Sequence, residues 1–194
     1  HEGAGVVVEV GSAVTRFKPG DAVFASVFDL GRGSITEFVA VPESVAAHKP
    51  ANLDFVQAAS IPMVGLTAWQ ALKERIGLRA GQKVFIPAGS GGIGSFAIQL
   101  AKAQGAIVTA VVSPGKIDFV KRLGADHVID YTVDDLGDGS HDVILDIAGI
   151  RPIDELRGVL APRGTVVFVG GEGGGPMLNG MQRQIGAGLF GPRG

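Results

Sequence analysis

Apolar and polar positions along this chain fall into two regimes. Up to residue 57 the apolar runs are short and broken by turns. "GVVVEVGSAV" reads as a strand with a glycine turn after it. "FKPGDAVFASV" carries a Pro-Gly turn and then a second strand, and "GSITEFVAVPESVAAHKP" alternates apolar with polar before a proline exit. Short strands at this spacing predict a small barrel or sandwich. Further on, "LDFVQAASIPMVGLTAWQALKERIG" has helical spacing, broken at Pro62. A strand–helix alternation follows. Strands are predicted at 83–87, 107–112, 127–131, 142–147 and 165–169, and helices at 92–104, 116–123 and 152–160. The strands at 107, 142 and 165 are nearly unbroken apolar runs, as expected where both faces of a sheet are covered. Such alternation predicts a parallel, doubly wound sheet with right-handed crossovers. No internal repeat stands out. The glycine-rich stretch 171–194 reads as a flap followed by a helix.

Composition narrows the class. The chain has 194 residues and is 46% hydrophobic, with 31 glycines and only 6% aromatics. That mixture suits tight helix–sheet packing around one sizeable core. A net charge of -2 and the lack of a basic run give no pull toward nucleic acid or anionic lipid. No apolar run is long enough to span a bilayer. The absence of cysteine rules out disulfides and thiolate metal sites within these residues. With no leader visible, a cytoplasmic protein is the expectation. The first residue is His1, directly ahead of a strand, and "FGPRG" ends the chain soon after a predicted helix, so a segment cut at both ends is expected.

Chemistry concentrates in "IPAGSGGIGSFAIQLAKAQG", where four glycines occupy the six positions 89–94. Gly89-x-Gly91-x-x-Gly94, with Ser90, Gly92 and Ile93 between, follows a strand and opens a helix. The expected division of labour is a tight turn at the first glycine, ligand approach at the second, and close helix–sheet packing at the third. The Gly92 and Ile93 amides then face outward at a helix N-terminus, which favours a pyrophosphate. The motif alone is weak, but its place in a run of alternating elements predicts a dinucleotide site.

An NAD-preferring site places an acidic residue about 20 positions on, to hold the ribose 2′-hydroxyl. Here no Asp or Glu occurs from Arg75 to Gly115, and Ser113 and Lys116 stand where a 2′-phosphate would lie. A carboxylate would repel that phosphate, whereas these two residues can donate to it. NADP(H) is therefore the expected cofactor, with a merely solvated Lys116 as the other reading. Tyr131, the only tyrosine, ends the third Rossmann-type strand. It either reaches the same phosphate or packs as an edge aromatic.

"HEGAGVVVEVGSAVTRFKPGDAVF", "IPMVGLTAWQAL", "AGSGGIGSFAIQLAKAQGA" and "KRLGADHVIDY" together resemble the medium-chain dehydrogenase/reductase superfamily. The similarity is greatest to its zinc-free quinone oxidoreductase and enone reductase branch, and it runs over nearly the whole chain. The resemblance implies an α/β architecture: part of a GroES-like β-rich catalytic domain over 1–57 and a Rossmann doubly wound parallel sheet over 58–194. It implies that Gly91 to Gly94 hold the pyrophosphate and that Ser113, Lys116 and Tyr131 hold the 2′-phosphate. It also places Thr67 near the nicotinamide, with Ala148-Gly149 and Val169-Gly170 lining the cofactor. For Thr67, a hydroxyl bonded to its own helix backbone is the alternative.

His1-Glu2 also resembles the signature of zinc alcohol dehydrogenases. A catalytic zinc of that family needs two thiolates beside the histidine, and Val64 stands where one is expected. "FDLGRG" replaces the cysteine-rich structural lobe, so no metal is expected. His48, His127 and His141 are scattered and read as surface or loop. Asp21 reads as a turn residue, Asp146 as a carboxylate bonding nearby amides, and Met63 and Trp69 as helix packing.

The function expected is hydride transfer from NADPH to a quinone or an α,β-unsaturated carbonyl. No catalytic acid or base is identified. The alternatives are a zinc-dependent alcohol dehydrogenase and a non-catalytic NADPH-binding sensor. The partner is a small-molecule substrate, with no nucleic acid or membrane, and a homodimer is suggested by analogy alone.

Overall fold

A computed structural model describes residues 1–170 except Arg32, Asp138 and the side chain of Asp29. The flap and helix expected at 171–194 lie outside the described residues. The chain divides into two compact units, 1–66 and 67–194. The change of sequence pattern near residue 57 falls earlier, inside the helix Phe55–Ala59 (α1), which packs on the first unit's strands.

In the first unit, strands β1 (Glu2–Val6), β2 (Ala22–Ser26) and β3 (Ala46–His48) form an antiparallel sheet in that order. The turn into β2 is built as expected. Gly20 takes φ 94, and the Asp21 carboxylate accepts from the Lys18 amide at 3.0 Å. Asp54 and Gln57 form a reciprocal capping box at the start of α1. Helix α2 (Pro62–Trp69) begins at the proline expected to break the pattern, because a first-turn position needs no amide hydrogen. The Glu2 carboxylate accepts from the Met63 amide at 2.6 Å, so β1 caps α2.

One expected element is not formed. The alternating stretch 34–41 takes no strand, and a 3₁₀ turn at Glu43–Val45 precedes β3. Alternation makes a strand only where a neighbouring ladder takes up its amides. No described strand pairs with this stretch, and Ile35 and Phe38 are exposed. Phe38 borders an open hollow of about 420 Å³ alongside β1 and β2.

The second unit is built on a five-stranded sheet ordered β6-β5-β4-β7-β8, with every pairing parallel. Its strands are β4 (Lys83–Pro87), β5 (Ile107–Val112), β6 (His127–Asp130), β7 (His141–Asp146) and β8 (Leu160–Phe168). The chain starts at the centre, runs outward through β5 and β6, then returns beside β4 to build β7 and β8. This is the doubly wound order expected, with its reversal between β4 and β7. The helices are α3 (Gly92–Ala103), α4 (Ile117–Arg122) and α5 (Ile153–Val159). A π-helical turn, Gln70–Arg75, continues α2.

Period-2 alternation divides the apolar runs between two layers. Val84, Ile86, Val108, Ala110, Val112, Val143 and Leu145 face a core shared with Leu72, Ala97, Ile98 and Val120. Phe85, Val111 and Ile144 face the opposite layer with Leu156 and Val159. Strands β5 and β7 are buried on both faces, as their sequences predict. Strand β8 is only partly buried, since among the described residues only β7 lies beside it.

His141 does not lie on the surface as expected. It is buried at the start of β7, where its Nδ1 lies 3.1 Å from the Val159 carbonyl and its Nε2 lies 3.2 Å from the Thr109 hydroxyl. Its ring also packs on Phe85 at 4.9 Å. The imidazole thus fills the space between β5 and the end of α5, and both polar atoms are met. Trp69 is 44% exposed, so it is not the packing residue predicted.

Lys102 near the end of α3 meets both oxygens of Asp126 at 2.8 Å, and Asp126 also accepts from the Val108 amide at 2.7 Å. The cluster ties α3 to the first residues of β5 and the approach to β6. Burial raises the Asp126 carboxyl, but the bond from Lys102, the Val108 amide and the charges of Lys102 and His127 outweigh it. The group is held below its ordinary range. Its contribution to stability is therefore present above the unfolded-state pKa and lost as pH falls through the folded one. Asp126→Asn should cost about 1 kcal/mol at neutral pH, a value reduced for partial solvent exposure. In acid titrations followed by thermal unfolding, the wild type should converge on the variant below about pH 4. A constant gap between them at all pH values would contradict this role.

Candidate functional site: a dinucleotide cradle at the strand ends

Residue register places the C-terminal ends of the five strands in line. Pro87 lies beside Val111, Val112 beside Asp130, and Asp146 beside Phe168. In open α/β sheets the ligand crevice lies past these ends, where the strand order reverses. The segments that follow the strands are 88–91, 113–116, 131–134, 147–149 and 169–170. Every sequence-predicted site residue except Thr67 falls in one of them or in the first turn of α3.

The turn between β4 and α3 is tightly packed against the helix start. A Cβ built on Gly94 would stand 2.4 Å from the Ala88 carbonyl oxygen and 2.8 Å from the Gly89 backbone. No side chain fits there, so the third glycine has the predicted packing role. A Cβ on Gly91 would meet only the Ala88 oxygen at 3.4 Å, and Gly91 and Gly92 are exposed. The protein itself leaves the second glycine open on its outer side, as ligand approach requires.

The first glycine does not play the part expected. Gly89 has an ordinary φ, and its missing Cβ would lie 3.0 Å from the Ala110 Cβ on β5. It is there for close contact with the sheet. The left-handed residue of the turn is Ala88, at φ 56. An L-residue in that region carries a cost of about 1–2 kcal/mol. Sequence reasoning could not find it, because alanine signals nothing about positive φ.

Helix α3 starts at Gly91, which has no side chain to cap it. The first intrahelical bond runs from the Ser95 amide to the Gly91 carbonyl at 2.8 Å. The amides of Gly92, Ile93 and Gly94 therefore have no carbonyl partner within the helix. Three convergent donors, the positive end of a 12-residue helix and a cradle that a Cβ would fill make a fitting seat for a pyrophosphate.

The residues predicted to bind the 2′-phosphate follow the next two strand ends. Ser113 follows β5 and precedes the 3₁₀ turn Pro114–Lys116, in which the Lys116 amide donates to the Ser113 carbonyl at 2.9 Å. Tyr131 follows β6, and its amide donates to the Val112 carbonyl at 3.3 Å. The side chains of Lys116 and Tyr131 are exposed and pair with none of the described residues. The structure adds carboxylates that the 75–115 window could not show. The Asp130 oxygen Oδ1 accepts from the Thr132 amide and hydroxyl, at 2.9 and 2.8 Å. Asp118 is exposed on the first turn of α4. A hollow of about 300 Å³ beside Tyr131 gathers Asp134, Asp135 and Glu155 against Arg151, a set that disfavours phosphate.

The ends of β7 and β8 are locked together. The Asp146 carboxylate accepts from the Gly149 amide at 3.2 Å, and Gly149 takes φ 67. Val169 donates to the Asp146 carbonyl at 2.9 Å. A Cβ on Gly170 would fall 2.0 Å from the Ile147 oxygen. Ala148-Gly149 and Val169-Gly170 thus form one glycine-dependent rim past β7 and β8. Thr67 sits half-buried in α2.

The metal donors do not converge. The His1 ring packs edge-on against Phe28 at 5.0 Å, and Glu2 serves the Met63 amide. Among the described residues no three His, Asp or Glu side chains gather as a metal site. This donor set does not fit a catalytic zinc, and no zinc-dependent step is derived.

Comparison with known proteins fits this geometry. The alcohol dehydrogenase GroES-like domain model matches residues 1–51, and the zinc-binding dehydrogenase model matches 92–185. The chain is 48% identical over 134 residues to the mouse (Mus musculus) protein "NAD(P)H oxidoreductase RTN4IP1, mitochondrial", covering 67% of this chain and 34% of that one. It is 42% identical over 182 residues to the Arabidopsis thaliana "NADPH-dependent alkenal/one oxidoreductase, chloroplastic", covering 88% of this chain and 46% of that one. The quinone oxidoreductase of Coxiella burnetii superposes with a TM-score of 0.74 at 35% identity, over 84% of this chain and 52% of that one. The chain thus spans a third to a half of the length of these curated relatives. A Rossmann-type parallel sheet joined to an antiparallel GroES-like sheet, matched by both domain models and by these relatives, makes the chain a member of the medium-chain dehydrogenase/reductase superfamily.

Proposed function

We propose that this protein is an NADPH-dependent oxidoreductase that reduces a quinone or an α,β-unsaturated carbonyl. The observation that carries the reading is the β4–α3 turn. It presents three helix-start amides with no intrahelical partner and no capping side chain, and Gly94 is seated where a methyl group cannot go. Similarity to an NADPH-dependent alkenal/one oxidoreductase, an NAD(P)H oxidoreductase and quinone oxidoreductases supports the coenzyme and substrate class. The expected cytoplasmic location has no such support, since the names of the mouse and Arabidopsis relatives are mitochondrial or chloroplastic. No described helix is long and apolar enough to cross a membrane.

When bound, the reduced nicotinamide supplies hydride to the acceptor. This chain's residues bind and orient. Gly92, Ile93 and Gly94 donate to the pyrophosphate. Ser113, Lys116 and Tyr131 donate to the 2′-phosphate, each bond to that charged group contributing about 1.5–3 kcal/mol. The rim Ala148-Gly149 and Val169-Gly170 limits how far the dinucleotide slides along the strand ends, and Thr67 lies beside the nicotinamide. Solvent supplies the proton that completes the reduction.

Three measurements test the reading. NADPH oxidation should occur with a quinone and enone panel and be much slower with NADH; equal use of the two would remove the 2′-phosphate assignment. Tight NADPH binding without oxidation of any acceptor would favour a sensor role instead. The double variant Lys116→Ala/Tyr131→Phe should raise the Kd for NADPH by about a hundredfold or more and leave that for NADH unchanged. Gly94→Ala should abolish measurable binding of both coenzymes, because its Cβ pushes α3 off the Ala88 carbonyl, and should cost about 1–3 kcal/mol of stability. A Gly94→Ala protein that binds NADPH normally would unseat the cradle.

A further inference from the structure

Ala88 is the one non-glycine residue with positive φ among the described residues, and it lies in the loop just assigned to the pyrophosphate. Such a backbone persists only where its surroundings over-determine it. Before it, Pro87 is buried and registered against Val111. After it, the Gly89 amide donates to the Val111 carbonyl at 3.2 Å. The Ala88 carbonyl accepts from the Gly91 amide at 3.0 Å, and the same oxygen is the surface on which Gly94 rests. One peptide group therefore closes the turn and seats the helix.

We infer that Ala88 is a positioning residue whose strained backbone limits how tightly the loop grips the dinucleotide and speeds its release. This rests on the dinucleotide reading above. Residue 88 is exposed, so water can satisfy its carbonyl and the Gly91 amide if their bond opens. The net stabilisation from one such bond is of the same order as the cost of a left-handed alanine. The ligand-free loop consequently divides between the closed turn and a relaxed one in which Ala88 returns to negative φ. Only the closed turn fixes the start of α3 and presents its amides together. Apparent affinity is then reduced according to the fraction of molecules that are closed, and in the complex the same strain favours the loop opening that precedes release. Glycine takes positive φ freely and asparagine tolerates it, whereas a β-branched residue resists it more than alanine does.

The test is a series of full-chain variants: Ala88→Gly, Ala88→Asn and Ala88→Val. NADPH affinity is read by fluorescence titration and dissociation by stopped-flow displacement. Ala88→Gly and Ala88→Asn should each bind about two- to fivefold tighter, with dissociation slowed in proportion, and Ala88→Val should bind more weakly than wild type. Asparagine separates left-handed preference from simple chain flexibility, and the glycine and asparagine variants decide the matter even if the valine protein fails to fold. Glycine and asparagine variants that gain thermal stability but keep wild-type binding and release would overturn the inference, and so would tightening by glycine alone. Those outcomes leave the dinucleotide reading intact. A wild-type chain that binds neither NADPH nor NADH overturns that reading, and this inference with it.

Discussion

The structure depends on a single close approach, that of Gly94 on α3 to the carbonyl of Ala88 at the end of β4. The contact brings the helix start down onto the edge of the sheet, and several features follow from it. The apolar face of α3, with Ala97, Ile98 and Ala101, can then reach Val84, Ile86 and Val108 without voids. The first-turn amides, which have no carbonyl partner within the helix, stand at the end of the central strand. The sheet order puts that strand where the winding reverses, so the donors open onto the crevice common to this class of fold. Packing and binding thus share one geometric cause, and loosening the first degrades the second.

Much of this was legible in the amino-acid order. Strands β4 and β5 run over the predicted residues, because Gly81 and Gly105 bracket unbroken apolar runs with their left-handed turns. That Ser113 and Tyr131 follow neighbouring strand ends was also legible, since adjacent parallel strands of matched length end side by side. What escaped was of two kinds. Residues 34–41 alternate like a strand, but alternation says nothing of whether a ladder partner exists. His141 and Ala88 are single positions without a period. Burial of an imidazole and the sign of a φ angle are set by tertiary surroundings that no local window contains.

Electrostatics past the ends of β5 and β6 shows the same division. The carboxylate-free window 75–115 was a correct reading of the chain, yet Asp118 and Asp130 enter the neighbourhood from beyond it. Asp130 is turned into a local bond with Thr132, which removes much of its reach. The charge past these strand ends is accordingly mixed, with the acidic hollow beside Tyr131 opposite in sign to Lys116.

Glu2 illustrates how a familiar dipeptide can mislead. Its carboxylate closes the start of α2 by taking the Met63 amide, 61 positions away. Losing that acceptor would remove a bond that a helix-start amide makes whether or not any ion were nearby. The acidic half of a His-Glu pair can therefore have a use in helix chemistry, joining the first strand of its sheet to a helix far along the chain.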